Sequence, residues 1–427
     1  MKKLSRSLSR RDFLKQTAIA STLPFIGCPS AIGNTEYYDV GLTIGQGQKQ
    51  GIISFYQNVL TWVALNLVLS DKSIKSEASE LESLISNFEQ EHGLPNNPSQ
   101  ENQPSVEKAN TLIEKILTAM IFSGNLENSL AQFSPNNYQK AIGIADGSLG
   151  QSFRPLVFLT QYYEIASSLD NPLFGACSAL SLKPEINELN EPILAKNFDY
   201  PWWIKDLTFP RQTRPKDKLS SLDISVALMP GAVSTTNGQI AITQNAFWGT
   251  ESFNVYLPLT CSLQDATEQC ASTQETIDFL NTQRNAGYHI LNLIDKDGNI
   301  ALIENTPYEK FSRILPENET HLITTNHFQL GSPFGSLTQI GAIPLLSTQM
   351  RYESIRQKMN QILDVEKRKL TLEDVFQIMS NSDNGPLFSV ANLATVNSAV
   401  MLPRSGKAFV CNGNPSEPER VFQEYFL

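Results

Sequence analysis

From about residue 177 onward the sequence is divided by turn signals into short apolar runs, and this punctuation restricts the fold more than any other feature. A run at 224–228 reads as a strand, and Asn237-Gly238 opens a hairpin turn ahead of a second run at 240–243. The turn Lys296-Asp297-Gly298-Asn299 separates runs at 288–294 and 300–304, and Arg404-Ser405-Gly406 separates 394–402 from 407–411. A further strand is expected at 322–325. Spacings of three and four predict helices over 352–363 and 372–379, the second opened by Thr371 with Asp374 three residues on. Hairpins interrupted by paired helices predict an α+β fold, with helices packed outside antiparallel sheets. Neither an internal repeat nor a glycine-rich phosphate loop is present.

The part before residue 137 reads differently. An apolar series over 47–70 predicts a buried helix, broken by Gln57, Asn58 and Asn66 in a way that does not suit a membrane span. Helices are also expected at 77–88, 106–122 and 156–165, with a polar, proline-containing excursion at 93–105. At the start of the chain, Lys2, Lys3, Arg6, Arg10, Arg11 and Lys15 oppose only Asp12, and residues 16–27 carry no charge. That run is too short for a permanent span and fits an export signal. Ser9-Arg10-Arg11-Asp12-Phe13-Leu14-Lys15 resembles the twin-arginine signal of prokaryotes, which implies delivery to the periplasm or cell envelope. Phe25-Ile26-Gly27-Cys28 resembles a lipoprotein processing box, which makes Cys28 the candidate lipidation site and the only expected membrane attachment. The expected organisation is therefore a signal peptide at 1–27, a mostly helical region at 28–136 and a main domain at 137–427. The net charge is −10 and no arginine–aromatic patch stands out, so nucleic acid is not an expected partner.

Five cysteines are too few for a disulfide scaffold. Cys261 and Cys270 could bridge or stay free, and Cys411 lies in an apolar run that reads as core. Cys177 is different in kind. A cysteine nucleophile needs a base, and no histidine lies near it in sequence. If the chain were cut between Ala176 and Cys177, the new α-amine, with a reference pKa of about 7.7–8, would be a base carried by the nucleophile itself. Lys196-Asn197-Phe198-Asp199-Tyr200 begins nineteen residues after Cys177. His92, His289, His321 and His327 are scattered without metal-ligand spacing, so neither a metal nor a cofactor is expected.

Residues 137–427 resemble the acyl-coenzyme A:6-aminopenicillanic acid acyltransferase family of N-terminal-nucleophile hydrolases, with bile-salt hydrolases, penicillin V acylases and acid-ceramidase-like amidases as sister groups. The resemblance rests on Ala141-Ile142-Gly143-Ile144-Ala145-Asp146-Gly147, Cys177-Ser178-Ala179, the segment 196–200, the run ending at Asn245, Thr325-Asn326-His327, Ser347 with Arg351-Tyr352, and the segment 395–400. It implies a four-layer αββα sandwich, preceded here by the helical N-terminal region, and self-cleavage at 176/177. Cys177 would be the nucleophile and Asp199 the partner of its amine. Asn245 would be an oxyanion donor, Asn326 would complete the oxyanion site or hold the substrate amide, and Arg351 would support the nucleophile or a substrate carboxylate. Lys196, Asn197, Trp248 and His327 would lie along the substrate. Lys196 stands where bile-salt hydrolases usually carry arginine, which leaves a flexible point charge in place of a rigid fork.

The chemistry expected is that of an autoprocessed cysteine amidohydrolase or acyltransferase. It would open an amide bond of a small N-acyl substrate through an acyl-cysteine thioester and deliver the acyl group to water or to an amine acceptor. Two other classes stay open at this point. One is a cysteine protease with His289, His321 or His327 as base; the other is an inactive, lipid-anchored binding protein.

Overall fold

A computed structural model describes residues 35–69, 72, 75, 78–94, 126–158, 177–200, 202–247, 257–307, 309–330 and 342–427, and the chain from Gly33 to Leu427 forms one compact unit. The N-terminal part contains helices α1 (Thr35–Gly47), α2 (Lys49–Leu69), α3 (Ser79–His92) and α4 (Pro135–Ser148). After Cys177 come strands β1 (Ser178–Leu182), β2 (Ile193–Asp199), β3 (Thr208–Thr213), β4 (Ser221–Val226), β5 (Ser234–Thr236) and β6 (Ile240–Phe247). Helices α5 (Leu259–Thr267) and α6 (Thr273–Thr282) lead to β7 (Tyr288–Asp295), β8 (Ile300–Asn305), β9 (Lys310–Ile314) and β10 (His321–Thr324). Helices α7 (Ala342–Asn360) and α8 (Leu372–Met379) precede β11 (Thr395–Leu402), β12 (Lys407–Asn412) and β13 (Gln423–Phe426).

Among the described residues, all pairings between these strands are antiparallel. One sheet has the order β10-β1-β2-β11-β12-β13, and the other runs β3 to β9 in sequence order. Every residue of β1, β2, β4, β7, β8 and β11 is buried, because both faces of each sheet are covered. The period-2 alternation shows with what. Leu194, Met401, Ala241, Ile290 and Leu302 meet in a core between the sheets. Their neighbours Ala195, Val400 and Leu180 pack outward against Ile355 and Met359 of α7 and Val375 and Ile378 of α8. On the far side, Ile242, Leu291 and Ile303 pack against Leu259 and Leu263 of α5 and Ile277 of α6. The order of layers is thus helix, sheet, sheet, helix: the α+β, αββα arrangement expected.

The N-terminal helices close one end of this sandwich. Tyr56, Leu60, Leu81, Phe88 and Ile144 share one apolar cluster with Cys177, Phe198 and Val396. Helices α1 and α4 cross at backbone contact. A Cβ on Gly143 would lie 2.2 Å from the Tyr38 carbonyl oxygen, and one on Gly41 would lie 2.1 Å from that of Lys140. Glycine at 143 therefore serves close packing of the two helices. Buried polar ties reinforce the attachment, with Tyr37 donating to Glu268 at 2.5 Å and Ser134 to Asp265 at 2.5 Å.

Helix α7 begins at Ala342, well before the expected 352, and α8 starts with both capping hydrogen bonds between Thr371 and Asp374 present. Helix α2 matches the buried helix expected there, and among the described residues no helix is long and apolar enough to cross a membrane. Cys261 and Cys270 form no disulfide with each other, Cys261 lies inside α5, and Cys411 is a buried residue of β12. The helix expected at 106–122, most of the excursion at 93–105, and the end of the helix expected at 156–165 lie outside the described residues.

Gly143→Ala should cost about 1–3 kcal/mol by overpacking α1 against α4. Urea unfolding would read this as a lower midpoint at unchanged slope, and an unchanged midpoint would contradict the close crossing.

Candidate active site

Strand β1 begins immediately after Cys177, and its register sets Ser178 opposite Asn197 and Ala179 opposite Lys196 on β2. Cys177 is buried at the strand's N-terminal end. Its backbone nitrogen donates to Asn326 Oδ1 at 2.8 Å. The same oxygen accepts from Arg351 Nη2 at 2.9 Å, and Asn326 Nδ2 donates to the Ala246 carbonyl at 2.6 Å. Asn326 follows β10 and is pinned there by its own backbone N–H, which donates to Thr348 Oγ1 on α7 at 2.7 Å.

Arg351 is fully buried on α7 and reaches inward to the end of β1. Its Nη1 donates to the Cys177 carbonyl at 2.5 Å and to Ser178 Oγ at 3.0 Å. Its Nε donates to Ser347 Oγ at 3.4 Å, one helical turn earlier. The serine and arginine noted in the sequence are thus one unit: the hydroxyl steadies the guanidinium that holds the residue carrying the thiol.

Lys196 is fully buried and faces the second sheet. Its Nζ donates to the Gln244 carbonyl and to Asn245 Oδ1, the latter at 2.6 Å, and the Cys177 thiol acts on it electrostatically. Burial lowers the Lys196 pKa below the usual lysine value, an effect opposed by Cys177 and Asp199. Asn245 spends its amide on the first sheet, donating to the Thr325 carbonyl at 3.0 Å and to Thr324 Oγ1 at 3.3 Å.

Asn197 corrects an expectation. It is next to Lys196, so the strand's alternation turns its side chain to the opposite face. There Nδ2 donates to the carbonyls of Met379 at 2.8 Å and Val390 at 2.9 Å, so Asn197 ties β2 to the outer helical layer and does not line a substrate site. His327 holds a turn: its Nδ1 lies 3.0 Å from both Thr325 Oγ1 and Thr348 Oγ1, and burial, then the Arg351 charge, lowers its pKa to about 4. Trp248, Ala176 and Cys28 lie outside the described residues.

Asp199 is fully buried at the end of β2. Asn392 Nδ2 donates to Oδ2 at 2.5 Å and Thr395 Oγ1 to Oδ1 at 2.7 Å. Burial raises its pKa to about 6 against the opposing charge of Arg351 and these two hydrogen bonds. Asn392 and Thr348 carry site geometry that the sequence reading did not single out. Among the described residues no cluster of His, Cys, Asp and Glu could hold a metal ion. What the arrangement offers chemically is a thiol beside an amine, with amide and guanidinium groups around the thiol's own backbone.

The sequence profile of the family described as acyl-coenzyme A:6-aminopenicillanic acid acyl-transferase matches residues 186–417. The chain belongs to that family. The matched span contains Lys196, Asp199, Asn245, Asn326 and Arg351 and begins after Cys177. No curated protein matches the chain in sequence. Among solved structures, an N-acylethanolamine-hydrolyzing acid amidase ortholog from Caenorhabditis elegans is 17% identical, over 53% of this chain and 93% of that one, at a TM-score of 0.41. A mutant conjugated bile acid hydrolase from Clostridium perfringens is 12% identical over 59% and 92%, at 0.39. The penicillin V acylase of Agrobacterium tumefaciens is 15% identical over 59% and 86%, at 0.40.

The raised pKa of Asp199 has a stability consequence in this acyltransferase-family fold. The native value lies above the unfolded one, so the contribution is fully present below about pH 4 and is lost as pH rises through about 6. Asp199→Asn carries no such penalty. Parent and variant stabilities, measured by urea unfolding, should diverge in the variant's favour from about pH 4 to about pH 7, reaching about 3 kcal/mol. Parallel curves would show an ordinary carboxylate.

Proposed function

We propose that the chain is a self-processing cysteine amidase. It cuts its own 176–177 bond and then opens the carbon–nitrogen bond of a small N-acyl substrate through an acyl-cysteine thioester. The observation that carries this reading is the hold on Cys177. The buried cysteine at the head of β1 has its backbone nitrogen on Asn326 Oδ1 and its carbonyl on Arg351. An inert core cysteine needs neither contact, whereas a nucleophile whose own nitrogen becomes the base needs that nitrogen held in place. Family membership supports the chemistry.

In this scheme the thiolate attacks the Ala176 carbonyl, the C–N bond breaks, and water opens the resulting thioester. The freed α-amine then takes the thiol proton in each turnover and returns it to the leaving amine. In this reading Asn326 donates its amide to the developing oxyanion and Asp199 is the carboxylate that favours the α-ammonium, whereas the Asn245 amide is committed to Thr325 and Thr324. Water is the acyl acceptor of the reaction proposed, and an amine acceptor would compete with it. A histidine base has no comparable support. Burial lowers the His289 pKa to about 3, and His321 Nδ1 lies 3.3 Å from Thr320 Oγ1, while His327 holds its turn as described.

Intact-mass analysis of the purified parent should show a fragment beginning at Cys177, co-eluting with the N-terminal fragment whose helices share its core. Cys177→Ala should stay whole and turn over no N-acyl substrate. A parent chain that is active while uncut would sink the mechanism. Export by the twin-arginine route, with Cys28 lipidated, belongs to the same proposal. Arg10→Lys combined with Arg11→Lys should then leave the protein in the cytoplasmic fraction, and undiminished recovery from the envelope would count against that route.

A further inference from the structure

We propose that Lys196 is the proton acceptor for the Cys177 thiol in the uncut chain, so that this lysine drives self-cleavage before the α-amine exists. The inference rests on the self-processing proposed above and concerns the step which that scheme leaves without a base. In the uncut chain the Cys177 nitrogen is an amide. Its lone pair is delocalised and its hydrogen is given to Asn326 Oδ1, so it cannot take the thiol proton. Another group must.

The surroundings leave one suited to it. The Arg351 guanidinium carries only donors and does not lose a proton in proteins. Both oxygens of Asp199 are held by Asn392 and Thr395. His327 spends Nδ1 on two threonine hydroxyls. Lys196 pairs with Ala179, two residues after Cys177, so its side chain shares a strand face with the thiol, and the two groups act on one another electrostatically.

The geometry around Nζ suits proton exchange. Two acceptors, the Gln244 carbonyl and Asn245 Oδ1, account for two N–H bonds, and the third position is here assigned to sulfur. A neutral amine keeps the two donations and accepts S–H with its lone pair. An ammonium keeps the same two and gives its third N–H to a thiolate. The proton would therefore pass between sulfur and Nζ while the two donations to Gln244 and Asn245 stay as they are. Burial, the largest influence on this amine, favours its neutral form. The charged and titratable groups that act on it or lie beside it are Cys177 and Asp199, which favour the ammonium, Arg351, which opposes it, and His289 on β7.

The step balances. The Cys177 S–H proton passes to Lys196, sulfur bonds to the Ala176 carbonyl carbon, and the C–N bond breaks. The Lys196 proton then goes to the departing Cys177 nitrogen. Water opens the thioester, leaving the Ala176 carboxylate, the thiol and a free α-amine. Arginine at 196 would favour a thiolate by its charge but could not accept the proton.

The test uses the full chain with Lys196→Arg, alone and with a site-specific protease sequence placed directly before Cys177. The parent should cleave itself at a rate that rises with pH as Lys196 loses its proton. Lys196→Arg should cleave about 100-fold more slowly or more so, as expected for a lost general base. Cutting the variant at the added protease site should then restore turnover of an N-acyl substrate, because the α-amine takes over. Self-cleavage of Lys196→Arg at the parental rate would overturn the assignment. So would a variant that stays inactive after external cutting, which would place Lys196 in turnover or folding instead. A parent that never cleaves would instead defeat the self-processing reading itself, whatever the variant does.

Discussion

The Arg351 guanidinium is the constraint on which the site depends. Burying a charge of this size costs several kcal/mol unless its donors are matched, and no carboxylate is bonded to it here. Neutral acceptors match it instead: the Cys177 carbonyl, Ser178 Oγ, Asn326 Oδ1 and Ser347 Oγ. They come from the head of β1, the turn after β10 and α7 itself, so the fork can be satisfied only when those parts are in place together. Removing any one acceptor would leave a buried N–H without a partner, and that desolvated donor costs more than the hydrogen bond contributes. The outer helix α7 thereby sets where the first strand begins, and with it where the thiol sits.

The double covering of β1 and β2 supplies the second condition. With a sheet on one side and helices on the other, adjacent residues of one strand serve unrelated ends. Lys196 enters the space between the sheets and meets Asn245, and Asn197 anchors the strand to the end of α8. A shift of one residue in the β1–β2 register would exchange them, placing an amide beside the thiol and an ammonium among Ile378, Met379 and Val390. The register is therefore held by chemistry as well as by apolar pattern.

This geometry also decides what could be read in advance. Interior strands β6, β7, β8, β11 and β12 were legible because turn residues bracket them and both of their faces are apolar. The edge strands β3, β9 and β13 were not, although the fourth edge, β10, was expected at 322–325. β3 carries Pro210 and Arg211, β9 is largely exposed, and β13 ends the chain with polar residues, so none shows a period. The constellation of Cys177, Lys196, Asn326 and Arg351 was legible as motifs, since each sits in a distinctive local string. Asn392 and Thr348 were not, because an asparagine in a loop and a threonine on a helix carry no signal until the fold brings them to Asp199 and Asn326. The role of Asn197 was misread for the same reason: the motif gives the order of residues, and only the pleat gives the face.

The hold on the Cys177 nitrogen bears on why cutting need not disturb the site. Asn326 Oδ1 accepts from an amide N–H in the intact chain, and the same oxygen can accept from an ammonium or amine once the bond is broken, because a carbonyl acceptor does not distinguish them. Arg351 keeps that oxygen oriented in either state through Nη2. The apolar cluster that joins Cys177 and Phe198 to Tyr56, Phe88 and Ile144 does not depend on the peptide bond before Cys177, nor do the bonds from Tyr37 to Glu268 and from Ser134 to Asp265. Breaking one backbone bond adds chain ends without removing these contacts. The N-terminal helices therefore belong to the folded body, and under the proposed cleavage the nitrogen that would become the amine is already held by Asn326.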